Sequence, residues 1–259
     1  MKRLLPVYAG VVFLFLYLPL ITLGVFSFNS GRVAVWQEFT WAWYGQVFRD
    51  PLLLDATVNS LVIALTATAL TTVVGTLAAY GIWKRRAPVL TNALYLSLVT
   101  PEILTGVSLL VFFQFLFRLL EFRLGMQTVI LAHISFSLAY VVLVILARLR
   151  DFDPALEAAS LDLGATEWQT FWYVTLPLMS PGIIAAALLC FTVSFDDYVI
   201  TSLVAGVDSE TLPMIIYAMA RKGVSPEVNA LSVIITVVLG FLILAAGRLE
   251  SRSADRTTA

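Results

Sequence analysis

The chain has 259 residues, 60% of them hydrophobic and only 13% charged, with a net charge of −1 and a mean hydropathy of +0.92. Soluble domains carry about 25% charged residues, so the solvent of most of this chain is lipid, and the near-zero net charge removes any general attraction to nucleic acid. One cysteine (Cys190) and one histidine (His133) exclude an intrachain disulfide framework and a Cys/His metal cluster.

Six apolar stretches reach the roughly 20 residues that a bilayer-crossing helix needs. They lie at about 7–28, 57–83, 89–117, 128–147, 180–204 and 230–247. Backbone in hydrocarbon must satisfy its own hydrogen bonds, so each is expected as a helix, and the short alternating segments of a barrel are missing. The first stretch is longer than the roughly 7–15 residues of a signal-peptide core and no clear small-residue cleavage site follows, so it reads as a retained span. Trp36, Trp41, Trp43 and Tyr44 come next, as interface anchors or as ring faces over which a cation could sit. The second span carries Ala67, Thr71, Gly75 and Ala79, a small-residue seam for close helix packing.

With the N-terminus placed on the cytoplasmic side, ten of the 16 lysines and arginines fall on that side, among them Lys84, Arg85, Arg86, Arg148 and Arg150. That bias is the positive-inside pattern. Six spans bring the C-terminus back to the same side, where a polar tail at 251–259 is expected to be disordered. The whole of 1–259 reads as a single all-α membrane domain.

Three acids fall within the expected spans: Glu102, directly after Pro101, and the pair Asp196 and Asp197. A carboxylate at the bilayer centre costs about 2.5–3.5 kcal/mol on insertion scales, so each must face protein or a watery path. Neighbouring helix positions point about 100° apart; one acid of the pair is expected to line a path while the other packs between helices. Tyr198 is a further candidate beside them. His133 is expected as a hydrogen-bonded packing residue rather than a proton relay. Ser194 finds no matching histidine base by inventory or order, so a Ser-His-Asp hydrolase is not expected. No G-x-x-x-x-G-K-[ST] phosphate loop occurs.

Between the fourth and fifth spans, about 150–178, the chain turns polar. Asp153-Pro154 is a helix start, Ala155 to Leu163 a short helix, and Gly164 its left-handed end. Thr166 to Gln169 reads as a capping box, and Val174-Thr175-Leu176-Pro177 as the close of a second helix. Two short helices at an angle are expected beneath the bilayer. Their acidic face, with Glu157, Asp162 and Glu167, suits a protein partner better than anionic lipid.

Glu157-Ala158-Ala159, Gly164 and Val174-Thr175-Leu176-Pro177 resemble the EAA motif of ABC importer permeases, with valine in place of isoleucine. Phe26 to Ser30, His133 to Phe136, Ser194 to Asp197 and Gly223 to Leu231 resemble the spermidine/putrescine permeases of the PotC type. The resemblance implies the type I ABC importer permease fold, six transmembrane helices with a cytoplasmic coupling-helix loop. It implies that Glu157 contacts an ATPase subunit, that Gly164 permits the bend, and that Ala158, Ala159, Leu176 and Pro177 complete the coupling element. It further implies a second homologous permease subunit, an ATPase dimer that holds Mg-ATP, an extracytoplasmic polyamine-binding protein and a bacterial cytoplasmic (inner) membrane location. No catalytic residue, cofactor or metal is expected on this chain. Glu102, Asp196, Asp197, Trp43 and Tyr198 become candidates for the polyamine path, and the outer loop at about 205–229 a candidate contact for the binding protein. Three alternatives stay open: a permease for another small solute, a proton-coupled carrier using Asp196, Asp197 and His133, and a membrane enzyme. The carrier leaves the Glu157 loop unexplained, and the enzyme lacks clustered catalytic groups.

Overall fold

Long apolar segments fold as long helices here, and the departures occur where proline or a buried polar residue intervenes. The computed structural model of the chain describes residues 4–31, 35–121, 123–223, 226–238 and 240–241. In chain order the helices are α1 (Leu4–Phe26), α2 (Ala42–Val47), α3 (Pro51–Arg85), α4 (Pro88–Val99), α5 (Glu102–Leu120), α6 (Met126–Arg150), α7 (Ala155–Asp162), α8 (Glu167–Thr170), α9 (Leu176–Asp196), α10 (Val199–Val204), α11 (Leu212–Lys222) and α12 (Pro226–Val238). Among the described residues the only non-helical pairing is an isolated bridge between Asn29 and Phe39, so the all-α expectation is met. Among the described residues, five helices are long and apolar enough to cross a membrane: Pro6–Phe26, Pro51–Arg85, Glu102–Leu119, Met126–Arg150 and Glu167–Asp196.

Two expected spans need correction. The third, 89–117, is broken at Thr100-Pro101, both with extended ψ angles of 126° and 136°. Proline has no N–H to continue α4 and forces its predecessor out of the helical region. The fifth, 180–204, starts earlier and is broken at Asp197, whose ψ is 124°. Pro177 does not close the preceding helix. Phe171–Thr175 form a π-helical turn that joins α8 to α9, so Glu167–Asp196 is one 30-residue helix. The wider π turn accommodates the donor and space lost at proline. The sixth expected span, 230–247, is helical in its described part, and the remainder, with the tail at 251–259, lies outside the described residues.

The chain divides into two compact units, one of Met1–Asp55 with Ile215–Ala259, the other of Ala56–Met214. In the first, Asn29 organises the segment after α1: its Nδ2 donates to Val35 O (2.9 Å) and its Oδ1 accepts from Gln37 N (2.8 Å). Phe28, Phe39, Trp41 and Tyr44 pack ring on ring beside it, and Phe39 and Trp41 are exposed, as interface anchors are.

The second unit is built around α6. Val141, Val142, Ile145, Leu146 and Leu149 of α6 bury against Met179, Ala186 and Cys190 of α9 and Ala79 of α3. The expected seam on α3 is the contact face: Ala67, Thr71 and Ala79 are fully buried. A second cluster joins Ile63, Phe113, Val129, Ala132, Ile200 and Val204. There α5 approaches α10 closely at Gly106, where a Cβ would come within 2.6 Å of Leu203 and 3.4 Å of Ile200 Cα.

Candidate functional site

The polar loop folds as its local signals dictate. Asp153 Oδ1 accepts from Ala155 N (2.9 Å) and starts α7. Gly164 ends it at φ +90°, a left-handed position that other L-residues adopt only at a cost. Thr166 N–H donates to Gln169 Oε1 (2.8 Å) while Gln169 N–H donates to Thr166 Oγ1 (3.3 Å), the reciprocal capping box.

The surprise is the direction of Glu157. It is the one buried residue of α7, at 5% exposure. Its Oε2 accepts from Lys84 Nζ (2.7 Å), and its Oε1 from Thr175 Oγ1 (2.7 Å) and Tyr80 OH (3.2 Å). Lys84 and Tyr80 stand in the last turns of α3 and Thr175 ends the π-helical turn, so one carboxylate ties three elements together. Burial works against the charged form, but the hydrogen bonds from Lys84, Thr175 and Tyr80 and the Lys84 charge outweigh it and hold the carboxyl below the ordinary glutamate range. Sequence reasoning gave Glu157 an outward contact with a partner; in this structure its carboxylate is spent on its own chain. What α7 presents outward is Ala158, Ala159, Leu156, Leu161 and the corner Leu163-Gly164, with Leu163 at 89% exposure. Of the remaining motif residues, Leu176 is half-buried and Pro177 exposed.

The two helix breaks open on one space. Thr100, Pro101 and Glu102 from the first, and Asp196, Asp197 and Tyr198 from the second, line a single cavity of about 570 Å³, together with Tyr140 and Phe136 of α6. Irregular backbone at membrane depth is tolerated where it lines such a cavity. Four of the five expected path residues therefore meet. The fifth, Trp43, does not line it: its ring is buried at 7% exposure and its Nε1–H donates to Asn29 O (2.8 Å), a packing role in the other unit.

The two adjacent acids differ in their partners although both line the cavity; Asp197 lies beyond the helix end in extended backbone, so the 100° helix spacing does not apply to the pair. Asp196 is exposed, and among the described residues no cation or donor pairs with it. Asp197 accepts from Thr201 N (2.7 Å), Thr201 Oγ1 (2.7 Å) and Ile200 N (3.4 Å), which caps α10, and its Oδ2 lies 3.5 Å from His133 Nε2.

His133 is buried and hydrogen-bonded as expected, but sequence reasoning missed its partners. His133 Nδ1 is 2.6 Å from Ser194 Oγ and its Nε2 is 2.9 Å from Thr201 Oγ1, so Ser194 does have a histidine neighbour. The separations, 61 and 68 residues, hide it from any local pattern. The arrangement is still not hydrolytic. His133 Nε2 is closer to Thr201 Oγ1 (2.9 Å) than to Asp197 Oδ2 (3.5 Å), and Ser194 is buried at 3% exposure, with no approach for a substrate carbonyl.

Comparison with known proteins adds findings of three kinds. Residues 71–256 match the family described as binding-protein-dependent transport system inner membrane component. The chain is 40% identical over 248 residues to the putrescine transport system permease protein PotI of Escherichia coli (strain K12), covering 93% of this chain and 88% of that protein. It is 38% identical over 250 residues to the spermidine/putrescine transport system permease protein PotC of the same strain, covering 95% and 92%. In fold it is similar to a chain of a bacterial ABC transporter involved in alginate import, with TM-score 0.76, 18% identity, and 97% and 96% of the two chains covered. It is also similar to a chain of the MetNI methionine ABC transporter, with TM-score 0.61, 17% identity, and 78% and 98% covered.

Proposed function

Since this chain belongs to the family of binding-protein-dependent transport system inner membrane components, we propose that it is the permease subunit of an ATP-driven polyamine importer in a bacterial inner membrane. The observation that carries the reading is the convergence of two helix breaks on a cavity bearing Glu102 and Asp196. A polyamine is a flexible chain of ammonium groups. It needs fixed carboxylates to replace its hydration and a path that releases it again. Asp196, exposed and unpaired among the described residues, offers the first anchor; Glu102, at the first turn of α5, offers a second. Tyr198 and Tyr140 at the cavity wall add ring faces for the methylene and ammonium groups.

The chain itself moves solute without making or breaking covalent bonds; ATP and Mg²⁺ bind to a separate ATPase dimer. The outward face of α7 and the Leu163-Gly164 corner dock on that ATPase, and Glu157 braces this face from behind instead of touching the partner. A second permease subunit completes the path. An extracytoplasmic binding protein delivers the polyamine on the side opposite the loop, which places both termini in the cytoplasm.

The test is uptake of labelled putrescine and spermidine by the reconstituted complex with ATP inside the vesicles. Loss of one charge-assisted contact is worth about tenfold or more, so Asp196→Asn and Glu102→Gln each lower uptake at low substrate by at least that factor. Unchanged uptake in both variants removes the acids from the path, and an importer inert to both polyamines removes the substrate.

A further inference from the structure

Two neighbouring carboxylates at the end of α9 line one cavity, yet only Asp196 is free to meet a solute. We propose that His133 is a positioning residue for this cavity: through Thr201 it holds Asp197 on the first turn of α10 and so leaves Asp196 as the acid that the helix break presents. The inference rests on the cavity being the solute path.

The bond directions carry the argument. The Thr201 hydroxyl has one proton, which it gives to Asp197 Oδ2 at 2.7 Å. Its lone pair is then left to accept from His133 Nε2–H at 2.9 Å, which fixes the tautomer. In the neutral ring Nδ1 accepts from the Ser194 hydroxyl at 2.6 Å. Ser194, His133, Thr201 and Asp197 thus form one chain of donors that ends on a carboxylate, with His133 and Thr201 almost wholly buried. His133 is not among the cavity-lining residues, so it acts on the solute indirectly, through the residues it holds.

A six-residue helix does not hold itself, and α6 grips α10 at both ends. His133 serves the N-terminal end, and Thr128 Oγ1 lies 2.7 Å from Val204 O at the other. The His133 ring also meets the edge of Phe136 at 5.2 Å between centroids, and Phe136 is part of the cavity wall. Without the Nε2–H, Thr201 loses its fixed rotamer and Asp197 its strongest side-chain donor. The freed carboxylate then turns further into the cavity that it already lines beside Asp196, where two like charges repel and the anchor geometry is lost.

The experiment uses the complete importer in vesicles and reads labelled putrescine uptake as half-saturating concentration and maximal rate. Thr201→Val keeps the shape and removes the hydroxyl; it raises the half-saturating concentration about tenfold, with a smaller change in maximal rate. His133→Ala does the same, and the double variant is no worse than either alone, because both cut one chain. Thr201→Ser, which keeps the hydroxyl, stays close to the unmodified protein. Should His133→Ala fail to assemble, the Thr201 pair carries the test. The proposal is overturned if Thr201→Val behaves as the unmodified protein, if Thr201→Ser is equally impaired, or if the two losses multiply. An Asp196→Asn loss beside a silent Thr201→Val leaves the path reading standing and sinks this one; a silent Asp196→Asn sinks both.

Discussion

At Glu157 three donors converge on one carboxylate, and the consequences for stability differ by partner. Lys84 keeps 40% of its side chain exposed, so Lys84→Ala removes a solvent-screened pair and costs about 1 kcal/mol or less. Glu157→Ala leaves the buried Thr175 hydroxyl and the Tyr80 hydroxyl without their acceptor and costs about 2–3 kcal/mol. Thermal unfolding of the detergent-purified protein measures both. The pH dependence has a definite sign. The folded carboxyl titrates below its unfolded value, so its contribution is complete above the ordinary glutamate range and disappears as pH falls through the lowered value. The unmodified protein therefore unfolds at higher temperature than Glu157→Gln at neutral pH, and the two converge in acid. Nothing in the sequence marks Glu157 as inward-facing. Lys84 and Tyr80 lie 73 and 77 residues away, and residues flanking it on α7 point outward.

Among the elements, those shaped by short-range chemistry were legible and those shaped by long-range contacts were not. The α7–α8 corner was anticipated residue by residue, because Asp153, Gly164, Thr166 and Gln169 act on backbone within three positions of themselves. The broken helices were legible only in part: Pro101 signals the opening of the third span, although hydropathy runs unchanged through it, whereas no proline marks the break at Asp197, whose neighbour His133 reaches it from α6. Likewise the π turn before Pro177 has no periodic signature. The corner makes its own prediction. Gly164→Ala meets no neighbouring atom, so its penalty is purely the left-handed backbone, about 1–2 kcal/mol. It lowers the unfolding temperature modestly and the rate of ATP-driven uptake more, while Gly164→Asn, which tolerates that conformation, keeps most of both.

For the molecule as a whole, the proposed docking surface and the residue that braces it are separable. Leu163 is exposed and touches no brace, so Leu163→Asp leaves the unfolding temperature unchanged and lowers copurification of the ATPase with the permease. Glu157→Lys, which sets a second cation against Lys84, lowers both. Equal retention of the ATPase by Leu163→Asp and the unmodified chain discards the Leu163 corner as the docking face. The continuous helix from Glu167 to Asp196 has a mechanical meaning as well. Thirty residues at about 1.5 Å each make a lever of about 45 Å, with the loop at one end and the cavity acid at the other. Pivoted near the loop, a swing of only about 10° would carry the far tip through about 8 Å, more than the width of a hydrated amine's first water layer. On the proposed reading, a small displacement at the loop end would be enough to shift Asp196 relative to a cation held in the cavity.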